Sequence, residues 1–125
     1  MDDIKSRNDI ETIVGTFYTK ALEDDVIKHF FHDVVKVDLS KHLPVITDFW
    51  ESILLETQVY KDNAMSKHMA LHRLSPMGKE HFDRWLSLWD ETVTSLYIGP
   101  KADLAIERAQ QIGMLMQHKI SNLRK

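Results

Sequence analysis

His68 and His72 stand four residues apart, the spacing that puts two side chains on one side of a helical turn. Two imidazoles so placed can share a zinc ion, as in the His-Glu-x-x-His arrangement, where the glutamate serves as general base. Here Met69 follows His68, so that base is missing, and no cysteine is present to complete a structural zinc site. A carboxylate-bridged di-iron bundle needs Glu-x-x-His pairs on facing helices, and no glutamate of this chain has a histidine three residues later. Seven histidines in 125 residues are the compositional oddity. The plain interpretation leaves most of them at the surface; the sharper one has one or two binding a metal or cofactor.

The aromatic residues narrow the choice. Phe17-Tyr18, Phe30-Phe31, Phe49-Trp50 and Trp85 fall on the apolar faces of four separate segments. An aromatic core accounts for most of them. Tyr18, His42 and Trp85 are different, because they set three hydrogen-bonding groups among apolar neighbours, and a buried polar group left unpaired costs about 1–3 kcal/mol. A plain core avoids such groups, whereas a pocket with a polar guest uses them.

The elements that must position these residues are helices. Ile10, Ile13, Val14, Phe17, Tyr18, Ala21 and Leu22 follow one helical face, with Asn8 and Glu11 spaced as a capping box at its start. Val26, Ile27, Phe30 and Phe31 continue as a short apolar segment, and the pattern loosens from His32 to Ser40. Ser40 is the expected cap of a second helix bearing His42, Ile46, Phe49, Trp50, Ile53 and Leu54, with Pro44 near its start. Residues 60–67 suit a loop, 67–74 a short segment, and Ser75-Pro76-Met77-Gly78 a break. The strongest period runs through Phe82, Trp85, Leu86, Trp89, Val93, Leu96 and Tyr97 and stops at Gly99-Pro100. A last helix is expected from about Asp103 to about Lys119. No strand alternation, repeat or low-complexity stretch appears, so the expectation is an all-α chain of four main helices plus short ones, in one domain over 1–125.

Composition excludes several functions. Hydrophobic residues make up 43% and charged residues 28%, with four glycines and three prolines, as in a helical globular protein. The net charge of −3 gives no basic footprint for nucleic acid. No apolar run approaches a membrane span, and the charged start, Met1 to Lys5, has no signal-peptide core, so the expected location is cytoplasmic.

Taken in order, Phe17-Tyr18, Phe30-Phe31, His42 with Phe49-Trp50, Tyr60, His72 and His81-Phe82-Asp83-Arg84-Trp85-Leu86 resemble the group III truncated haemoglobins, over about residues 8–118. The resemblance implies a truncated globin-like two-over-two helical sandwich holding a b-type haem. It implies that His72 is the proximal ligand of the haem iron, with His68 lying four residues too early. Tyr18 matches the distal tyrosine that donates to bound ligand, His42 the distal-helix position facing the iron, Ile46 the apolar residue one turn on, and Trp85 the pocket tryptophan. Phe17, Phe31 and Phe49 match residues that pack against the porphyrin. Lys41, Lys67 and Arg73 lie near these motifs as candidate propionate partners. Two departures from the family pattern occur: Leu39 stands where a tryptophan is common, and Lys61-Asp62-Asn63 lacks a glycine often found there.

The implied function is binding of O2, NO, CO or similar diatomic ligands. Redox chemistry of oxygen, nitric oxide or peroxide, served by an unidentified reductase, is a further expectation. Two alternatives stand beside it: a haem-free globin-like module acting in regulation or interaction, and a histidine-bound zinc protein in which His68 and His72 both matter.

Overall fold

The computed structural model describes residues 1–29, 39–57 and 78–123. They form four helices: α1 over Arg7–Ala21, α2 over Leu39–Leu54, α3 over Lys79–Leu96 and α4 over Pro100–Leu123. No strand occurs among the described residues. Helix α1 packs on α2 and on α3, α3 packs on α4, and α2 reaches α4. Two helix pairs are thus laid one over the other, the two-over-two sandwich.

The core sits where the expected apolar faces meet. Ile10, Ile13, Val14, Phe17 and Ala21 of α1 are buried against Phe82, Leu88, Trp89 and Val93 of α3 and Ala102, Ala105 and Met116 of α4. Trp89 is its hub. Its ring stacks on Trp50 of α2 at 4.6 Å between centroids and meets Phe17 edge-on at 5.4 Å. Its indole N–H donates to the carbonyl of Ala105 at 3.1 Å, so the polar end of the largest core side chain is satisfied. Full burial of a side chain such as Phe17 stabilises the fold by roughly 1.5–3 kcal/mol. Small residues let the second pair close up: Gly113 of α4 lies against Leu86 of α3, where an added Cβ would come within 3.2 Å of it.

Polar ties fix how the helices begin. α1 starts at Arg7, with Ser6 as its N-cap, two residues before the expected cap at Asn8. Asn8 is inside the helix, and its carbonyl accepts from the Thr12 hydroxyl. The Arg7 guanidinium reaches Asp48 at 2.7 Å and Glu51 at 3.5 Å, tying the start of α1 to the second half of α2. α2 begins at Leu39, so Ser40 is its second residue and not its cap. Pro44 lies inside α2, one turn from its start, and the helix runs on through it. A proline ring there removes one amide donor, a loss that is smallest near an N-terminus.

The last helix starts at Pro100, three residues before the expected Asp103. The reason is long-range. The Asp3 carboxylate accepts from the amides of Lys101 at 3.0 Å and Ala102 at 2.9 Å, capping α4 from the other end of the sequence. The Ile98 amide donates to the Asp2 carbonyl at 3.0 Å, and Ile4 is buried beside them. Burial alone would push the Asp3 carboxyl up, but the amides of Lys101, Ala102 and Ile4 and the charge of Lys101 outweigh it and hold the group below its ordinary value. Gly99 has φ +142°, and a Cβ on it would come within 2.5 Å of the Asp3 side chain, so the turn between α3 and α4 requires glycine on two counts.

Candidate functional site

Consecutive residues of a helix project about 100° apart. Phe17 and Tyr18 of α1 therefore face different neighbours, and the sequence places them at the junction of three helices. Phe17 is 1% exposed; its ring lies nearly parallel to Trp85 of α3, at 25° and 6.3 Å. Tyr18 is turned toward α2. It is 4% exposed, and its hydroxyl lies 2.7 Å from Nε2 of His42. The two rings meet edge-on with centroids 5.1 Å apart. Burial pushes the Tyr18 phenol far above its ordinary range, so the hydroxyl keeps its proton at any physiological pH.

On α2, His42 is followed one turn on by Ile46 and two turns on by Phe49, all three half-buried. Phe49 meets Trp50 edge-on at 5.2 Å, and Trp50 continues into the core stack. Trp85 is half-buried as well, between Phe82 and Trp89 on α3. Its position is set from both sides of the helix. Arg84, the preceding residue, donates to the Asp24 carboxylate in the turn after α1, and that carboxylate also accepts from the Val26 amide at 3.0 Å. The Gly78 amide at the start of α3 donates to Nδ1 of His81 at 2.8 Å.

Of the residues picked out in the sequence, Tyr18 and His42 come together in a direct hydrogen bond, and Phe17 and Trp85 in a stacked pair beside them. Ile46 and Phe49 share the α2 face that begins at His42. Lys41 is exposed at the start of α2. His72, Phe31, Lys67 and Arg73 lie outside the described residues, as do His68 and Tyr60. Among the described residues no group of three or more His, Cys, Asp or Glu side chains is placed to hold a metal ion. No described helix is long and apolar enough to cross a membrane. Sequence inspection missed Asp24 and the capping role of His81. The one signal for either was the compact His-Phe-Asp-Arg-Trp-Leu run at residues 81–86.

The chemistry of this set is specific. Two hydrogen-bonding groups, a phenol and an imidazole, are held among flat or aliphatic side chains. Such a set fits a planar apolar cofactor carrying a small polar ligand, and none of Phe17, Tyr18, Ile46, Phe49 and Trp85 brings a charge to it.

Comparison with known proteins bears on this arrangement. The chain is 25% identical over 118 residues to the protein described as group 3 truncated hemoglobin ctb of Campylobacter jejuni, covering 92% of this chain and 91% of that one. Its fold superposes on the crystal structure of group III truncated hemoglobin from Campylobacter jejuni with a TM-score of 0.82 and 25% identity, over 96% of this chain and 95% of that one. In sequence and in fold the chain is similar to group III truncated haemoglobins. No family model matches the chain. The shared fold is that of a truncated globin. Nearly full coverage in both directions means that all four helices of the sandwich are shared with the relative, including the two that carry Tyr18 and His42.

Proposed function

We propose that the chain binds a b-type haem, with His72 as the residue that would hold its iron, and takes O2, NO, CO or a similar diatomic ligand in a pocket lined by Tyr18, His42 and Trp85. When bound, the haem iron supplies an open coordination position and the capacity for one-electron chemistry. Everything else is the work of the chain. His72 would offer an imidazole nitrogen to the iron, and its second ring nitrogen would need an acceptor to fix the ring. Phe17 and Phe49, together with Phe31, supply apolar area to the planar group, and Ile46 keeps the α2 side of the pocket aliphatic.

The Tyr18–His42 hydrogen bond carries this interpretation. A phenol and an imidazole paired at 2.7 Å in an otherwise apolar junction form a donor site that a purely structural core has no use for. Burial keeps the Tyr18 proton in place, so the hydroxyl acts as a donor and never as an anion. A hydrogen bond to a ligand that gathers negative charge is worth about 1.5–3 kcal/mol, so a donor of this kind slows release of a charged or polarised ligand more than that of a less polar one. Tight holding of oxygen suits redox chemistry of oxygen, nitric oxide or peroxide, fed by a reductase, better than transport. Lys41, Lys67 and Arg73 are the cations proposed for the propionates.

An absorption spectrum of the purified, haem-supplied protein, reduced with and without carbon monoxide, tests the proposal. A strong Soret band that shifts on CO binding is the expected result. A folded protein without one favours the haem-free regulatory module, and zinc in metal analysis favours the histidine–zinc alternative.

A further inference from the structure

The first turn of α3 is closed in an uncommon way. Gly78 brings no side chain to the N-cap position, and its backbone N–H donates to Nδ1 of His81 at 2.8 Å. Three residues past an N-cap, the group that reaches back in this manner is ordinarily the side chain of glutamate or glutamine. An imidazole nitrogen accepts only when it carries no proton, so the bond requires a neutral ring protonated on Nε2. A proton added to Nδ1 would turn that nitrogen into a donor facing the Gly78 amide. It would also place a cation at the positive end of the α3 dipole.

The same turn is connected to the pocket. Trp85 stands four residues after His81, on the same side of α3. Between them Arg84 is locked to Asp24, whose side chain is only 6% exposed. The helix is thus held in rotation at two points, the cap and the ion pair, and Trp85 follows from both. Several charged or titratable groups surround the cap. The ring of His29, just past the turn after α1, lies 5.6 Å from that of His81. Glu80 Oε1 is 3.7 Å from His81 Nε2, and its side chain is 70% exposed against 17% for His81. Lys79 is engaged by Asp83, and Arg84 by Asp24.

We propose that His81 is a positioning residue for the pocket: as a neutral imidazole it caps α3 and sets Trp85, and acidification releases the start of that helix. The consequence for a bound ligand rests on the function proposed above; the cap itself does not. The test is a titration of the full chain, as isolated, from about pH 8 to about pH 5, where an ordinary histidine changes charge. The Gly78 amide and the Trp85 indole N–H are followed by 15N-edited NMR. The expected result is that the Gly78 amide loses about tenfold in protection at the acid end, once intrinsic exchange is divided out, and that the Trp85 signal moves with the same midpoint. His81→Gln, whose amide oxygen accepts at every pH, abolishes both changes, and His29→Gln keeps them. A Gly78 amide with unchanging protection in the wild type, or a His81→Gln protein that titrates like the wild type, overturns the proposal. Neither reporter needs a bound cofactor, so a protein found to carry no haem would sink the proposed function while this result is still decided at Gly78.

Discussion

The Tyr18 hydroxyl and Nε2 of His42 lie 2.7 Å apart, so one proton is shared between two helices at the edge of the core. Which group donates matters. If the imidazole carries its proton on Nε2, it donates to the phenol oxygen and leaves the phenol proton to point at a guest. If the proton sits on Nδ1, the phenol donates to His42 and offers the guest only an oxygen. The pair therefore has a donor-presenting and a donor-withholding form, related by the tautomer of His42.

Tyr18→Phe removes the hydroxyl and keeps the ring that packs on Phe17 and against His42. Stopped-flow measurement of oxygen release from the reduced protein should show release about tenfold faster or more, since about 1.4 kcal/mol is a factor of ten. CO release should change less. Unchanged oxygen release would mean that Tyr18 is not the donor.

His72→Ala and His68→Ala separate the proposed ligand from its neighbour one turn earlier. The first should lose the Soret band or hold haem loosely; the second should leave the spectrum as it was. If both variants lose the bound metal together, the histidine–zinc alternative gains.

Asp3 offers a prediction about stability that is independent of any ligand. Its carboxylate caps the start of α4, and removal of a side-chain N-cap costs about 0.5–2 kcal/mol. Asp3→Ala should therefore lower the melting temperature by several degrees for a chain of this size. The pH dependence follows from the lowered folded-state value of this carboxyl. A group depressed in the folded state contributes its full share above the unfolded value of about 3.9, and that share is lost as pH falls through the folded value. The gap between wild type and Asp3→Ala should thus be widest near neutrality and close below about pH 4. A gap that stays constant to acid pH would assign the effect to packing.

The helices were legible in the sequence because their cause is local. Period and apolar spacing placed the bodies of α1, α2 and α3 and the burial of Phe17, Trp89 and Val93. Their beginnings were not legible where the cause is distant. Asn8 and Glu11 have capping-box spacing, yet the helix starts at Arg7, whose guanidinium is held by Asp48 and Glu51 more than forty residues away. Asp103 was expected to open α4 because nothing near Pro100 signals a cap; the cap is Asp3, ninety-eight residues before Lys101, whose amide it accepts. The pocket shows the same division. Polar residues in apolar faces singled out Tyr18, His42 and Trp85 one by one, but a 2.7 Å contact between α1 and α2 is a property of packing that no spacing encodes.

The Asp24–Arg84 pair yields an asymmetric prediction. The Asp24 side chain is 6% exposed and serves two donors, the Arg84 guanidinium and the Val26 amide, whereas Arg84 is 43% exposed. Asp24→Ala removes both bonds and frees the turn after α1 as well as the rotation of α3. Arg84→Ala removes one bond and lets water reach the carboxylate. Asp24→Ala should therefore cost more in urea unfolding, about 2–3 kcal/mol against about 1–2 kcal/mol for Arg84→Ala. The double variant should be no worse than Asp24→Ala alone, because the residues act through a shared contact. If the two single losses instead add in full, the guanidinium is held by something other than Asp24. The coupling between α3 and the turn after α1 would then have to be sought at His29 and His81, whose rings span the same gap.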